Sequence, residues 1–217
     1  MASDVDISNL ALSHIGERAE VITIVPPFDS AEEQQCGRFY PLARDQLLEM
    51  HPWTFAMRRA ALAALESDNP AWLYAYQVPA DCLKPRAVLA NETCDDATGD
   101  DFIVETNGAG NKVIYTNRES AVLRYTRALT DTTRFSPMFV AALARKLAAM
   151  LAGTIIKGAP GRAVAEGQER MFLIEFATAK ADDANTGSRA RQLRSFIPSG
   201  MAARGGEHGG NWGWRCS

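Results

Sequence analysis

Residues 136–157 read SPMFVAALARKLAAMLAGTIIK and are followed by Gly158. A serine directly before a proline is a typical helix start, because Ser136 can cap the first free N–H groups and Pro137 suits the first helical position. The segment that follows is dense in Ala and Leu, and Gly158 can end the helix. Small residues on broad faces suit close helix packing, so this stretch predicts a helix that packs tightly on other helices.

Outward from this stretch, other segments also predict helices: residues 4–15 or 6–15, 30–50, 59–65 and 160–184. Ser30 and Glu33 have capping-box spacing, in which the serine caps the backbone and Glu33 reaches back. Pro41 lies inside the second of these helices, so a kink or a break is expected there. Helical patterns therefore cover most of the chain outside its middle part.

In the middle of the chain the spacing of apolar residues no longer follows a helical period, and this pattern predicts a small β element. FIVET (102–106) and KVIYT (112–116) are rich in β-branched and aromatic residues, and NGAGN (107–111) joins them. This pattern predicts a β-hairpin. Residues 121–127 predict a third strand of the same antiparallel sheet. A phosphate-binding loop is the weaker interpretation of the tip (Asn107, Gly108, Gly110 and Asn111), because no Lys-Ser/Thr follows and a strand stands where a helix should begin.

The predicted fold class is mainly α: a helical bundle with a small inserted antiparallel β subdomain and an extended C-terminal arm. The expected bundle comprises residues 1–85 and 132–184, the inserted β-hairpin subdomain residues 86–131, and the arm residues 185–217. With 217 residues, 47% hydrophobic and 23% charged, the chain can close such a core. No run of about 18 apolar residues is visible and the N-terminus lacks a secretory pattern, so we expect no membrane association.

Charge is unevenly distributed. The whole chain has a net charge of −3, which argues against a general electrostatic nucleic-acid binder. Residues 185–217 carry five arginines and one acidic residue, a net charge of +4, which leaves −7 for the rest. This Gly-, Arg- and Ser-rich tail has no apolar period and predicts an extended or disordered arm.

No residue pattern predicts a metal, cofactor or catalytic site. The four cysteines lack C-x-x-C spacing and only three histidines are present, so we expect free thiols and no zinc. Asp95, Asp96, Asp100 and Asp101 surround Gly99 without the spacing of a calcium loop, which favours a solvated loop over a cation site.

Hydrolysis of a glycan would need two carboxyl groups about 5–10 Å apart across a sugar cleft. The available carboxylates are Glu32, Glu33, Asp45, Glu49 and Asp81, and nothing in the sequence pairs any two of them. A nucleophilic triad has few possible bases, since His51 precedes Pro-Trp and His208 lies in the tail. The chain is therefore predicted to be an interaction protein and not an enzyme.

Two groups of aromatic residues invite a functional interpretation. The first comprises Trp53, Phe55, Trp72, Tyr74 and Tyr76; it could stack bases or sugars, but a compact core cluster is the favoured interpretation. The second lies in the tail with arginines: Arg191, Arg194, Phe196, Ile197, Trp212 and Trp214. Arg and Trp are enriched at protein interface hot spots, so a protein-binding arm is favoured over a DNA-binding one.

An ordered series of segments resembles a known family. It runs through residues 7–16 (ISNLALSHIG), 36–40, 44–48, 52–56 (PWTFA), 58–62, 72–79 (WLYAYQVP) and 81–84. The series resembles the tail tubular protein A family, the head-to-tail adaptors or gatekeepers of short-tailed bacteriophages. It covers residues 5–85 well and the chain to about residue 185 more loosely, and no single segment of it would be specific.

The resemblance implies a structural virion protein at the head–tail interface, assembled in the host cytoplasm, that needs no cofactor. It implies twelve copies in a ring, with the portal protein on one side, a nozzle resembling tail tubular protein B on the other, and viral DNA passing through the lumen. The arm is expected to meet the portal, residues 136–157 to pack between subunits, and the hairpin tip to face a neighbouring subunit or the nozzle. A tail-associated peptidoglycan hydrolase and a DNA-binding accessory protein remain alternatives.

Overall fold

The computed structural model describes residues 2–18, 20–67, 69–90 and 99–195, with side chains of the last helix described to residue 186. The order of elements is α1 (Asp4–His14), α2 (Ala31–Met50), β1 (Met57–Ala61), β2 (Ala64–Leu65), β3 (Tyr74–Gln77), β4 (Cys82–Leu89), β5 (Phe102–Thr106), β6 (Lys112–Thr116), β7 (Val122–Arg127), α3 (Pro137–Ile155) and α4 (Gly158–Ser195). Contacts divide the described residues into a helical unit, residues up to 56 and 128–186, and a second unit, residues 57–127 and 187–195, to which strands β1 to β7 belong.

The prediction of a mainly α fold is wrong. About 49% of the chain is helical and 21% is strand, and the strands form two antiparallel sheets of three and four strands. Of residues 59–65, expected to be helical, residues 59–61 lie in β1 and residues 64–65 in β2 instead. Their Ala, Leu and Arg favour a helix locally, but β1 pairs along its whole length with β7, far away in the sequence. The strands accordingly begin at Met57, well before the expected boundary at residue 86.

The helical unit is built around α3, which contacts both α1 and α2. Ser136 caps α3 by accepting the N–H of Phe139, as the Ser-Pro pair predicts. Eight residues of α3 are buried: Phe139, Ala142, Leu143, Ala144, Leu147, Ala148, Leu151 and Ala152. The four buried alanines let neighbouring helices approach closely, so this side of α3 is occupied within the helical unit.

Two expectations concern the course of the helices. At Pro41 α2 is unbroken, one helix from Ala31 to Met50, so of the expected kink or break the kink remains. The last helix does not stop near residue 184 but continues to Ser195, so residues 185–195, expected to belong to the arm, are helical. By length and composition alone, Pro137–Ile155 could also cross a membrane, although no such run was expected; apolar core helices of globular domains share this property.

The strand-containing unit has two sheets, in the orders β1-β7-β4 and β2-β3-β6-β5. The hairpin of β5 and β6 is confirmed, with Phe102 opposite Thr116 and Thr106 opposite Lys112. The third predicted strand is present as β7, but it lies in the other sheet, between β1 and β4. Buried residues from both sheets form one core: Tyr76, Val88, Ile114, Ala121, Leu123 and Tyr125.

Candidate interaction surfaces

The loop between α1 and α2, residues 21–29, is anchored at its start by α1. The side-chain amide of Asn9 donates to the carbonyl of Val21 at 2.9 Å, and its oxygen accepts the N–H of Val21 at 2.8 Å. Val21 itself is buried, with 1% of its surface exposed. This double hydrogen bond fixes the position at which the α1–α2 loop leaves the core.

Glu33, in the first turn of α2, holds both ends of the same loop. Its carboxylate accepts the N–H of Asp29 at 2.8 Å and that of Ile22 at 3.2 Å. These backbone hydrogen bonds, that from Asp29 first, lower the pKa of Glu33 below its ordinary value of 4.5. The predicted cap is thus half correct: Ser30 accepts the N–H of Glu33, whereas the carboxylate reaches the loop.

Because Gly37 has no side chain, the loop packs closely against α2 at this position. A Cβ at this position would lie 2.7 Å from the carbonyl oxygen of Ile24 and 2.8 Å from the ring of Phe28. The loop backbone therefore rests directly on the helix. Between these fixed points Ile22 and Val25 project outward, with 83% and 63% of their surfaces exposed. The α1–α2 loop is an apolar protrusion held in place by side chains of both helices.

Helix α4 packs on the rest of the helical unit with one face. Phe172, Phe176, Ala179 and Asp183 are buried at helical spacing. Arg145 of α3 pairs with Glu175 at 2.9 Å, Lys146 pairs with Glu169 at 2.9 Å, and Gln168 donates to the carbonyl of His14 at 2.7 Å. These contacts fix the rotation of α4 about its own axis.

The opposite side of α4 is exposed and carries apolar residues. Its exposed positions, at helical spacing, comprise four small residues, one isoleucine and one arginine: Ala163, Gly167, Arg170, Ile174, Ala177 and Ala181. Ile174 is 59% exposed, and Met171 and Leu173 beside it are 40% and 55% exposed. We call these positions, with Met171 and Leu173, the outer face of α4. An exposed apolar helix face of this kind is a candidate interaction surface.

The predicted aromatic cluster is divided between the two units. Trp53 is fully buried in the helical unit, donates from Nε1 to the carbonyl of Leu47 at 2.8 Å, and contacts the rings of Phe55 and Phe139. Tyr74 and Tyr76 stack on each other in the strand-containing unit, where Trp72 packs against Ala75, Val113 and Tyr115. Trp53 and Phe55 therefore pack in the core of the helical unit, and Trp72, Tyr74 and Tyr76 pack in the strand-containing unit.

Asp183 was not identified from the sequence, although it joins two distant segments. Its carboxylate accepts the N–H of Thr54 at 3.0 Å and the hydroxyl of Thr54 at 2.7 Å, and lies 3.2 Å from Nε2 of His51. It thereby ties the segment after α2 to α4. No local pattern marks such a residue, because its partners lie about 130 positions away in the sequence.

In the strand-containing unit, Asp81 accepts hydrogen bonds from Tyr125 at 2.7 Å and from Arg58 at 2.8 Å. Burial opposes ionisation, but the hydrogen bonds from Tyr125 and Arg58 hold the pKa of Asp81 below its ordinary value. The three residues line a cleft of about 260 Å³. A carboxylate held ionised by two donors is poorly suited to act as a general acid.

At the hairpin tip, Asn107 accepts the N–H groups of Ala109 and Asn111, and Gly110 adopts a φ of +82°. Gly108 is exposed beside them, so the tip is a self-contained turn. Asp100 forms a two-bond ion pair with Arg118 at 2.7 and 2.8 Å. Among the described residues no group of three His, Cys, Asp or Glu side chains could hold a metal ion. Asp95 and Asp96 lie outside the described residues.

The expected portal-binding arm falls largely outside the described residues. The backbone of Arg191 and Arg194 belongs to α4, whereas their side chains, and all of Phe196, Ile197, Trp212 and Trp214, are not among the described parts of the chain. In comparison with known proteins, no protein-family model matches the chain, and no curated protein matches it.

Proposed function

We propose that this chain is a head-to-tail adaptor of a short-tailed bacteriophage, a structural protein that forms a ring between portal and tail nozzle and lets DNA pass. The observation that carries the proposal is the presence of two exposed apolar surfaces on separate elements of one unit, the α1–α2 loop and the outer face of α4. A ring subunit requires two different surfaces, because each copy contacts one neighbour with each of them.

The ordered resemblance over residues 7–84 specifies which kind of ring. Members of the adaptor family form rings of twelve beneath the portal, and their residues of interest are interface residues. Several segments of the series supply buried residues here, among them Ile7, Trp53 and Tyr76. The series therefore describes a folding pattern and not a set of catalytic residues.

The carboxylates considered for glycan hydrolysis support this choice. Glu33 accepts backbone N–H groups of the α1–α2 loop, Asp81 is bound by Tyr125 and Arg58, and Asp45 is paired with Arg44 at 2.8 Å. Each of these three carboxylates, of the five considered, is engaged by a partner within the chain. The acidic character of residues 1–184 is also suited to a ring lumen, because like charge keeps DNA from adhering to the wall.

The test is negative-stain microscopy of the purified full-length chain, alone and mixed with the portal protein of the same phage. A second version ending at Ser195 keeps all of α4 and removes only residues 196–217, so it separates the tail from the helix. We expect full-length protein to add a ring to the portal and the shortened version to fail. Absence of added density with both versions contradicts the adaptor proposal. Activity on peptidoglycan, or DNA affinity that falls steeply with salt, would then favour one of the alternatives.

A further inference from the structure

We propose that the α1–α2 loop of one copy docks on the outer face of α4 of a second copy. This inference deepens the proposed function, because it names the contact between neighbouring subunits. Its support lies in the two surfaces themselves, in their conformation, their shape and their charge.

The loop is ordered before any partner arrives. Asn9 fixes Val21, Glu33 fixes Ile22 and Asp29, and Gly37 lets the loop backbone rest on α2. Ile22 and Val25 are thus presented without a further loss of loop entropy on binding. A connection that only links two helices does not need this many anchors, and they hold two exposed apolar side chains in a fixed position.

The outer face of α4 has a shape that can accept such a protrusion. Ala163, Gly167 and Ala177 carry little or no side chain, so another backbone can approach the helix closely. No other atom lies within 4 Å of a Cβ built at Gly167, so that side of the helix is open. Ile174 and Met171 flank the small positions and offer apolar area to Ile22 and Val25.

Charge favours a second copy as the occupant. Glu20 and the loop residue Asp29 are exposed and Glu32 is partly exposed, against the exposed Arg18, so this side of the loop is acidic. The outer face of α4 carries the exposed Arg170 and, with Arg162 at its edge, two cations against the exposed Glu166. An acidic surround on the loop therefore meets a cationic position on the helix, and both surfaces belong to the same sequence.

The contact is heterologous, because a loop meets a helix and neither meets its own equivalent. Each copy can then use its loop toward one neighbour and its α4 toward the other. Pairing of loop with loop, or of helix with helix, would instead stop at a dimer. The identity of the residues that touch is accordingly the decisive measurement.

The experiment places a photo-crosslinking benzoylphenylalanine at position 22 of the full-length chain. Equal amounts of isotopically light and heavy protein are irradiated at high concentration, and peptides that join a light to a heavy chain are mapped by mass spectrometry. We expect position 22 to link to α4 residues 163–181 of the other copy. Because crosslinking captures brief encounters, a stable ring in solution is not needed. The same group at position 73 is the control, since Leu73 is 72% exposed in the strand-containing unit.

A variant tests the accepting surface. Ile174→Asp should lower the yield of light–heavy links from position 22 about tenfold, because a carboxylate replaces apolar contact and faces Glu20 and Asp29. Leu73→Asp should leave the yield unchanged. Links to another loop, links outside α4, or no links between copies each overturn the proposed contact.

The two proposals can fail separately. A ring on the portal without links to α4 keeps the adaptor function and removes this contact. Links to α4 without a ring keep the contact and remove the adaptor function.

Discussion

At the scale of single residues, the fold depends on polar side chains that connect distant segments. Asp183 is only 8% exposed, yet it satisfies both donors of Thr54 and lies beside His51. Buried polar groups are rarely left without a hydrogen-bond partner, and the donors of Thr54 supply partners for the buried carboxylate of Asp183. The segment that links α2 to β1 therefore depends on a carboxylate from the last helix.

Replacing this carboxylate should destabilise the protein. We expect Asp183→Ala to lower the free energy of unfolding by about 1–3 kcal/mol, since Thr54 loses two hydrogen bonds to a charged acceptor. Asp183→Asn should lower it less, because the amide oxygen still accepts. The neighbouring exposed Asp182, changed to Ala, is the matched control and should have little effect. Urea unfolding measures all three, and equal values for Asp183→Ala and Asp182→Ala would contradict the assigned role.

The Glu33 carboxylate should make the free energy of unfolding depend on pH in the acidic range. Its pKa is lowered in the folded protein from an ordinary value of 4.5, chiefly by the N–H of Asp29 and then that of Ile22. The stabilisation is therefore complete above the unfolded pKa and is lost as the pH falls through the folded pKa. We expect the difference in unfolding free energy between wild type and Glu33→Gln to shrink as the solution is acidified through this range. A constant difference would show that the carboxylate charge contributes nothing.

Gly37 and Gly167 provide a matched pair of helical glycines. We expect Gly37→Ala to reduce the free energy of unfolding by about 1–3 kcal/mol, because the methyl group would collide with Ile24 and Phe28. Gly167→Ala meets open space inside α4 and should stabilise by about 0.5–1 kcal/mol through helix propensity. Chemical unfolding of the two variants gives opposite signs if the loop rests on α2 as described, and the same sign if it does not.

At the scale of secondary-structure elements, signals confined to a few residues predicted structure well. The Ser136-Pro137 start of α3, the Ser30 cap of α2 and the hairpin around Asn107 were each correct. Each depends on contacts within about five residues, which the sequence displays directly. The expected α1, residues 4–15 or 6–15, also agrees closely with Asp4–His14.

Elements that depend on distant partners were predicted poorly. The Ala- and Arg-rich β1 is a strand because β7 pairs with it, and Leu123 opposite Ala60 is fully buried. The local sequence likewise does not show that β7 belongs to a different sheet from the β5–β6 hairpin, since sheet membership depends on pairing with strands distant in the sequence. The candidate surfaces show the same limit. The exposure of Ile22 and Ile174 follows from tertiary packing, and a sequence pattern would place both side chains in a core.

Pro41 offers a prediction at this scale. It lies inside the continuous α2 and has no backbone N–H to donate to the carbonyl of Gly37. We expect Pro41→Ala to raise the free energy of unfolding by about 1–3 kcal/mol, because an added N–H and better helix propensity outweigh the greater freedom of the unfolded chain. Exposed Gln46 on the same helix, changed to Ala, is the control and should stay within about 0.5 kcal/mol of wild type. A loss of stability with Pro41→Ala, measured by thermal unfolding, would mean that the proline ring itself is needed.

At the scale of the whole molecule, the chain contains two compact units with separate cores. Leu143 is fully buried in the helical unit and Leu123 is fully buried between the sheets. Each core draws on its own set of elements. Such units can open separately, with free energies set by their own packing.

Hydrogen exchange can measure this separation. We expect Leu123→Ala, which removes about 2–5 kcal/mol of packing, to speed amide exchange in residues 57–127 far more than in α3. Leu143→Ala should do the reverse, and each variant serves as the control for the other. Equal acceleration throughout the described chain in both variants would show that the two units unfold as one.

The pairing of β1 with β7 has a consequence for how such a protein can change during evolution. Met57 lies opposite Thr126, so the segment that carries the strands begins and ends at two directly paired residues. A gene could lengthen, shorten or replace everything between these points while the remaining ends stay close enough for a short turn to join them. Chains of common descent should therefore vary most between positions 57 and 127, and keep nearly constant helix lengths on either side.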